Sequence, residues 1–161
     1  RSVLSSLLAD PEQQPIVLTN SLGDKVQNQL RTLDLDIPVP VLGDTRQYDM
    51  DPGWSHHFLH PKLGGIQIWP LTEERQVDLR RPAYYQALTE AAADGAQLAV
   101  VADTFSLPGA LPLLMGIPFI LTRSTYTPTW CAQVVEAHPL GSVIEDLSAL
   151  PLALASSFPA A

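Results

Sequence analysis

The sequence has a single cysteine and lacks long apolar runs. Cys131 has no second cysteine to pair with, which excludes an intrachain disulfide and is consistent with a reducing compartment. The apolar runs at 98–102 and 117–121 are far shorter than the ~20 residues that span a bilayer. No signal-peptide pattern is present. We therefore expect a cytoplasmic protein without a membrane span.

Basic residues are also scarce. Nine lysines and arginines stand against 17 aspartates and glutamates, giving a net charge of −8, and no basic run occurs. Nucleic acids and anionic membrane surfaces are therefore not expected as partners. A phosphate-bearing ligand remains compatible with this charge, because backbone N–H groups at a helix N-terminus bind phosphate without Lys or Arg.

Glycine-rich phosphate loops are missing. The chain has neither a GxGxxG pattern nor a P-loop, and the turn at 20–24 contains one glycine, Gly23. This turn follows a predicted strand and opens a predicted helix, so the backbone at Gly23 could approach a phosphate. A plain strand-to-helix turn explains the same residues more simply, and both interpretations stay open.

Apolar runs and helical periodicity alternate along the chain, and 46% of the residues are hydrophobic, enough for a core. Alternation of this kind predicts an α/β fold. We expect one Rossmann-like domain over 1–161 with a doubly wound, mostly parallel sheet. The predicted strands are 16–19, 37–42, 66–69, 98–102, 118–121 and 142–144; the predicted helices are 2–9, 25–33, 84–93, 131–137 and 147–155.

An irregular insertion loop is predicted at 43–65, and it contains His56, His57 and His60. Their spacing suits a shared metal ion at first sight. No second ligand cluster occurs, and Pro52 and Pro61 favour a loop, so we expect no metal site here. A histidine titrates near neutral pH, which makes His57 a candidate acid or base.

Two neighbouring strand ends define a candidate binding edge. The apolar run at 98–102 ends at Asp103, and the next run ends at Thr122. Ligands of parallel sheets bind at the carboxyl ends of the strands. We therefore expect the segments 103–106 and 122–126 to lie side by side at such an edge.

The residues present argue against two other chemistries. A phospho-accepting receiver would use Asp103 and a hydroxyl such as Thr122, but it also needs an acidic pair after strand one and a lysine after the last strand. Those places hold Thr19 with Asn20 and Glu145 with Asp146. Cys131 falls inside a predicted helix with no adjacent histidine, which favours a buried cysteine over a nucleophile.

Four segments together resemble the nucleotide-binding half of a GT-B glycosyltransferase. PIVLTNSLG resembles its first strand and glycine turn, and GIQIWPLT resembles a strand with a V-x-P ending. ALPLLMGIPFI is similar to the E-A-L-x-x-G-x-P-x-[IV] signature, and VVEAHPLGSVIEDL resembles the segment that closes the domain. These segments are 15–23, 65–72, 110–120 and 134–147.

The resemblance implies a domain that binds a nucleotide-sugar and needs a partner domain for activity. We expect no cofactor and no metal. Arg123 would pair with the diphosphate of the donor. The implied ligand-binding residues are Gly23, Asp103, Thr104, Ser106, Thr122, Arg123, Ser124 and Tyr126.

Departures from the family pattern support an alternative from another class. No carboxylate stands at Pro108 or Gly109, where the family's ribose-binding glutamate falls. The polar pattern expected after strand five is replaced by TPTWC at 127–131. The alternative is a non-catalytic interaction domain, receiver-like or transferase-like, in a larger assembly. Exposed tryptophans at 54, 69 and 130 would favour it.

Overall fold

The computed structural model describes residues 2–35, 37–43, 46–54 and 60–158. The chain divides into two compact units, residues 1–47 and 48–161, and each is described by itself below. The prediction of a single domain over 1–161 stays a prediction.

The first unit contains two helices and a pair of short parallel strands. Its elements are α1 (Ser2–Ala9), β1 (Val17–Leu18), α2 (Gly23–Arg31) and β2 (Val41–Leu42). Val17 of β1 lies opposite Val41 of β2. The helix predicted at 2–9 is confirmed. The strand predicted at 37–42 is wrong over most of its length, because Pro38 and Pro40 have no backbone N–H to donate to a ladder.

The second unit alternates strands and helices after an initial hairpin. Its 3-10 turn at Pro61–Leu63 comes before the hairpin. The elements that follow are β3 (Ile68–Pro70), β4 (Gln76–Asp78), α3 (Pro82–Ala91), β5 (Val100–Ala102), α4 (Ala110–Met115), β6 (Phe119–Thr122), α5 (Thr129–Ala137), β7 (Gly141–Ile144) and α6 (Leu150–Ser157).

A three-stranded parallel sheet is the centre of the second unit. Its strands lie in the order β5-β6-β7, with β6 in the middle. Phe119, Ile120 and Leu121 of β6 are fully buried. A strand buried on both faces is the expected result of a continuous apolar run. The strand predictions for β5, β6 and β7 are confirmed to within two residues at each end.

The hairpin β3–β4 is the main difference from the predicted fold. β3 and β4 pair antiparallel, with Trp69 opposite Val77, and β4 was not predicted at all. Its sequence, QVD, contains one apolar residue, which is too short a pattern to indicate a strand. The strand predicted at 66–69 begins two residues later, at Ile68.

Two glycines permit the tight connections around the parallel sheet. Gly116 ends α4 in the left-handed region with φ 80°, where a residue with a side chain is strained. Gly141 opens β7 against α5: a Cβ there would lie 2.8 Å from the carbonyl carbon of Val135. The predicted helix at 147–155 begins as a 3-10 turn, which the Asp146 carboxylate caps by accepting from the Ser148 N–H at 2.7 Å.

The protein is therefore a mixed α/β fold with small parallel sheets. Three of the four strand pairs in the described residues are parallel, which agrees with the expected mostly parallel pairing. These strands form three sheets of two, two and three strands. A doubly wound, Rossmann-like sheet is a finer statement that stays a prediction. None of the helices described here combines the length and apolarity required to cross a bilayer.

Candidate functional site

The loops after β5, β6 and β7 meet at one edge of the parallel sheet. Ala102 lies opposite Leu121, and Thr122 lies opposite Ile144. We call the edge at which these strands end, after Ala102, Thr122 and Ile144, the carboxyl edge. The two segments predicted to lie together, 103–106 and 122–126, both start there, as expected from parallel pairing.

Arg123 is the cation of the carboxyl edge, and it already has a partner. Its Nη1 donates to Glu145 Oε1 at 3.1 Å, and its backbone N–H donates to the Ile144 carbonyl at 2.8 Å. Both side chains are well exposed, at 43% and 74%. An exposed ion pair of this kind contributes little, typically about 0–1 kcal/mol. The guanidinium is therefore positioned at the edge by an ion pair to Glu145 that is weak enough to be exchanged.

A compact turn fixes the segment that leads into α5. The Ser124 N–H donates to the Thr127 hydroxyl at 2.9 Å, and the Tyr126 N–H donates to the Ser124 hydroxyl at 3.2 Å. The Tyr126 side chain is left 92% exposed. The turn therefore uses the hydroxyls of Ser124 and Thr127 internally and presents Tyr126 to solvent.

The loop after β5 has both polar and apolar parts. The Thr104 hydroxyl donates to Asp103 Oδ1 at 3.1 Å, and both residues are exposed. Ser106 is half-buried in the turn that leads to α4. Between them Phe105 is fully buried, and it anchors the loop in the core. Asp103 and Thr104 are thus the accessible groups of this loop.

Carboxylates outnumber the cation at this edge. Asp103 follows β5, and Glu145 and Asp146 follow β7; Arg123 is the described cation in these three strand-end segments. The hydrogen bond from Ser148 lowers the pKa of Asp146, so this carboxyl stays ionised. An anionic ligand here therefore needs further positive groups, or it must displace Glu145 from Arg123.

Gly23, the remaining predicted ligand-binding residue, belongs to the first unit. It begins α2, and its Cα would lie 2.5 Å from a Cβ placed on Gly43. The two glycines therefore permit a close backbone approach between the start of α2 and the segment after β2. A side chain at position 43 would clash with this backbone, so the packing explains the glycine at position 43.

The structure describes one of the three histidines of the predicted loop, His60. His56 and His57 lie outside the described residues. The half-buried His60 ring stands 6.4 Å from the ring of Tyr85, and burial, followed by the charge of Lys62, lowers its pKa. Among the residues that the structure describes, no group of three or more His, Cys, Asp or Glu is placed to hold a metal ion.

Cys131 is buried within α5, as predicted. Burial raises the pKa of its thiol, although nearby Arg75 and a backbone hydrogen bond involving Phe105 oppose the shift. A buried thiol with a raised pKa is a poor nucleophile.

An aromatic chain beside the carboxyl edge was not predicted. The Phe105 ring stands 5.6 Å from Trp69 and 6.1 Å from Trp130, and Trp69 stands 6.1 Å from His138. The Arg75 guanidinium lies over the Trp130 ring, 4.9 Å from its centroid. The sequence carried no signal for this chain, because its members come from the hairpin, the β5 loop and α5.

The three tryptophans are half-buried rather than fully exposed. Trp69 and Trp130 pack in the aromatic chain, and Trp54 packs edge-on against Tyr85 at 5.1 Å. They therefore do not supply the exposed tryptophan surface that an interaction domain would favour.

Two concavities of the described chain contain no predicted ligand-binding residue. One, of about 320 Å³, lies where β5, β6 and β7 begin, between Leu98, Pro118, Leu140 and the end of α6 at Phe158. The other, of about 270 Å³, adjoins the end of α2. The first is at the opposite end of the sheet from the carboxyl edge.

Comparison of the chain with known protein families, with curated proteins and with solved structures found no match. The site is therefore interpreted from its own geometry.

Proposed function

We propose that the second unit binds a nucleotide-sugar at the carboxyl edge, as a glycosyltransferase-like domain that needs a partner domain for transfer. The observation that supports the proposal is the parallel register, which brings Asp103 and Thr104 beside Thr122 and Arg123. Accessible carboxylate and hydroxyl groups suit the hydroxyls of a ribose or a sugar, and a guanidinium suits a diphosphate.

The Arg123–Glu145 pair is compatible with this role. Because both side chains are exposed, exchanging the Glu145 carboxylate for a diphosphate costs little. The diphosphate also offers more acceptor oxygens in the bidentate geometry that a guanidinium prefers. In this proposal transfer depends on positioning and on stabilising the leaving diphosphate, with no covalent intermediate.

A thermal-shift screen with UDP, GDP, dTDP and CMP tests the proposal. We expect one nucleotide to raise the melting temperature saturably, because a ligand at a hundredfold excess over its Kd stabilises the native state by about 2.7 kcal/mol. Arg123→Ala should abolish most of that shift.

Arg31→Ala is the matched control for the loss of one positive charge. Arg31 is exposed on α2 in the first unit, where its guanidinium donates to Asn28. We expect it to leave the nucleotide shift unchanged. If none of the four nucleotides shifts the unmodified chain, the proposal is wrong.

A second candidate is an interaction domain that docks a protein partner at the same edge. Each of the three loops there presents an exposed apolar side chain: Leu107 (39%), Tyr126 (92%) and Leu147 (48%). Apolar side chains among Asp103, Glu145 and Asp146 favour a partner segment with both apolar and basic residues.

Site-specific photo-crosslinking tests this candidate. We expect Tyr126→p-benzoylphenylalanine to capture a partner in cells, and Leu22→p-benzoylphenylalanine, at an exposed site of the first unit, to capture none in common. The purified partner should then lose affinity for the Tyr126→Ser, Leu147→Ser double variant. The same proteins captured from both positions would refute a docking surface at this edge.

We also propose the sheet topology and the cellular location that are expected from the sequence. The parallel register of β5, β6 and β7 supports a doubly wound, Rossmann-like domain, and an experimental structure of the chain tests it. The single, buried Cys131 supports a cytoplasmic location, and cell fractionation tests that.

A further inference from the structure

We propose that Arg75, on the β3–β4 hairpin, is a second phosphate-binding residue of the nucleotide site at the carboxyl edge. The inference rests on the proposed nucleotide-binding function and adds a residue that the sequence did not indicate.

The hairpin holds Arg75 in a defined position. The Arg75 carbonyl accepts from the N–H groups of Leu71 and Thr72, at 2.9 and 3.1 Å, and the Arg75 N–H donates to the Thr72 carbonyl at 3.4 Å. A residue that closes a turn in this way has a well-fixed backbone. Its side chain then extends from the hairpin onto Trp130.

The aromatic chain connects Arg75 to both loops of the candidate site. Trp130 lies in the first turn of α5, directly after the loop that follows β6. Its ring contacts Phe105, which lies in the loop that follows β5, two residues after Asp103. Arg75 is therefore supported by the same residues that anchor the two predicted ligand-binding loops.

The chemistry of the stacked guanidinium suits a phosphate. A guanidinium attracted to an aromatic face by its charge spends none of its five N–H donors on a hydrogen bond to the ring, so they stay available for a bidentate acceptor. Arg75 is exposed, and within the described part of the chain it forms no ion pair, even with neighbouring Glu73 and Glu74. Arg123, by contrast, is paired with Glu145.

A second guanidinium also reduces the excess of negative charge at the carboxyl edge. With Asp103, Glu145 and Asp146 present, one arginine leaves a diphosphate without net electrostatic attraction. Arg75 and Arg123 together would supply two charge-assisted contacts for the two phosphates of one diphosphate.

The test is a titration of the unmodified chain with whichever of UDP, GDP and dTDP raises its melting temperature, beside the parent nucleoside. We expect Arg75→Ala to weaken diphosphate binding at least tenfold and nucleoside binding by less than twofold. Arg75→Lys keeps the charge but loses the planar fork of the guanidinium. Its affinity for the diphosphate should therefore lie between those of the unmodified chain and Arg75→Ala. Arg31→Ala should match the unmodified chain with both ligands.

Each other outcome decides against the inference. Unchanged diphosphate binding in Arg75→Ala, with Arg123→Ala impaired, overturns the role of Arg75 and leaves the proposed function standing. An equal loss for diphosphate and nucleoside identifies Arg75 as a structural residue of the hairpin. If CMP alone binds, this inference fails, because no diphosphate is bound. If no nucleotide binds the unmodified chain, the proposed function and this inference both fail.

Discussion

At the scale of single residues, Tyr84 shows how one buried hydroxyl fixes the loop that leads into α4. The side chain is 1% exposed, and its hydroxyl donates to the Pro108 carbonyl at 2.7 Å. Burial, followed by the neighbouring Tyr48, raises the pKa of Tyr84, so the phenol stays protonated and keeps donating. The loop after β5 is thereby tied to α3.

We expect Tyr84→Phe to lower the free energy of unfolding by about 1–2 kcal/mol, because the Pro108 carbonyl loses its partner inside the protein. Denaturant unfolding measures the loss. Tyr126→Phe is the control, since that side chain is 92% exposed and its change should be within about 0.5 kcal/mol. Equal stabilities of the two variants would contradict this account of the hydroxyl.

His138 is expected to make stability depend on pH. Burial lowers the pKa of its ring, and its Nδ1 accepts the Leu140 N–H at 3.2 Å, which a doubly protonated ring cannot do. Below a pH of about 6.5, the ordinary pKa of histidine, the unfolded chain therefore binds a proton that the folded chain resists. Stability falls as the pH drops through this window, until the lowered folded pKa is passed.

Denaturation midpoints at pH 7.5 and 5.5 measure this effect, and we expect the lower midpoint at pH 5.5. His138→Asn keeps an acceptor but does not titrate, so it should reduce the difference. The pKa of His60 is lowered as well, so His60 should account for part of the pH dependence that remains in this variant. Asp78, whose pKa is lowered chiefly by its bond from Arg80, titrates at lower pH and stays outside this window. A midpoint that does not change with pH would refute the prediction.

At the scale of elements, the end of α4 depends on a left-handed glycine. A Cβ on Gly116 would meet the side chain of Lys62, with its Cδ at 2.6 Å. Gly95 has a similar φ of 78°, but nothing lies within 4 Å of its Cβ position. A side chain would be strained by the positive φ at both positions, but at Gly116 it would also collide with Lys62.

We expect Gly95→Ala to cost about 1 kcal/mol of stability, from the positive φ alone. Gly116→Ala should cost more, by the energy needed to move the Lys62 side chain. Thermal and denaturant unfolding of the two variants give the difference. If Gly95→Ala is the more damaging change, the contact with Lys62 is not a constraint.

Elements were predictable where a long pattern existed and unpredictable where it did not. The runs that became β5 and β6 are apolar and uninterrupted, and the α5 pattern repeats at helical spacing; each was placed to within about two residues. β4 contains one apolar residue, so no periodicity could indicate it. Pro38 and Pro40 lie in an apolar run whose composition predicts a strand. Most of that strand does not form, because the two prolines have no backbone N–H to donate.

The candidate site was predictable only in part, for the same physical reason. Parallel pairing forces the ends of successive strands to one edge, so Asp103 and Arg123 were placed together from sequence. The ion pair of Arg123 with Glu145 and the stacking of Arg75 on Trp130 depend on side-chain packing between elements distant in sequence. No local pattern encodes such contacts.

At the scale of the whole molecule, buried side chains are distributed unevenly. Of the buried hydrophobic residues in the described chain, Val39 alone belongs to the first unit, and α2 contributes none. The second unit contains the buried strand β6 and most of α4. Segments with few buried apolar side chains open at lower free energy than a packed core.

We therefore expect amide hydrogens of β1, α2 and β2 to exchange at least a hundredfold faster than those of β6. Hydrogen–deuterium exchange with mass spectrometry under native conditions measures both in one experiment. Helix α1 serves as an internal reference for fast exchange, since none of its residues is buried. Equal protection in β2 and β6 would show that burial does not set local stability here.

The sequential order of β5, β6 and β7 has a consequence for how the chain folds. Each strand pairs with the one that follows it after a single helix, so residues 100–144 can assemble by closing short loops in succession. Assembly from neighbouring segments lowers the contact order and speeds folding. During synthesis, this sheet can complete as soon as residue 144 leaves the ribosome, whereas an order that doubled back would have to wait for a distant segment.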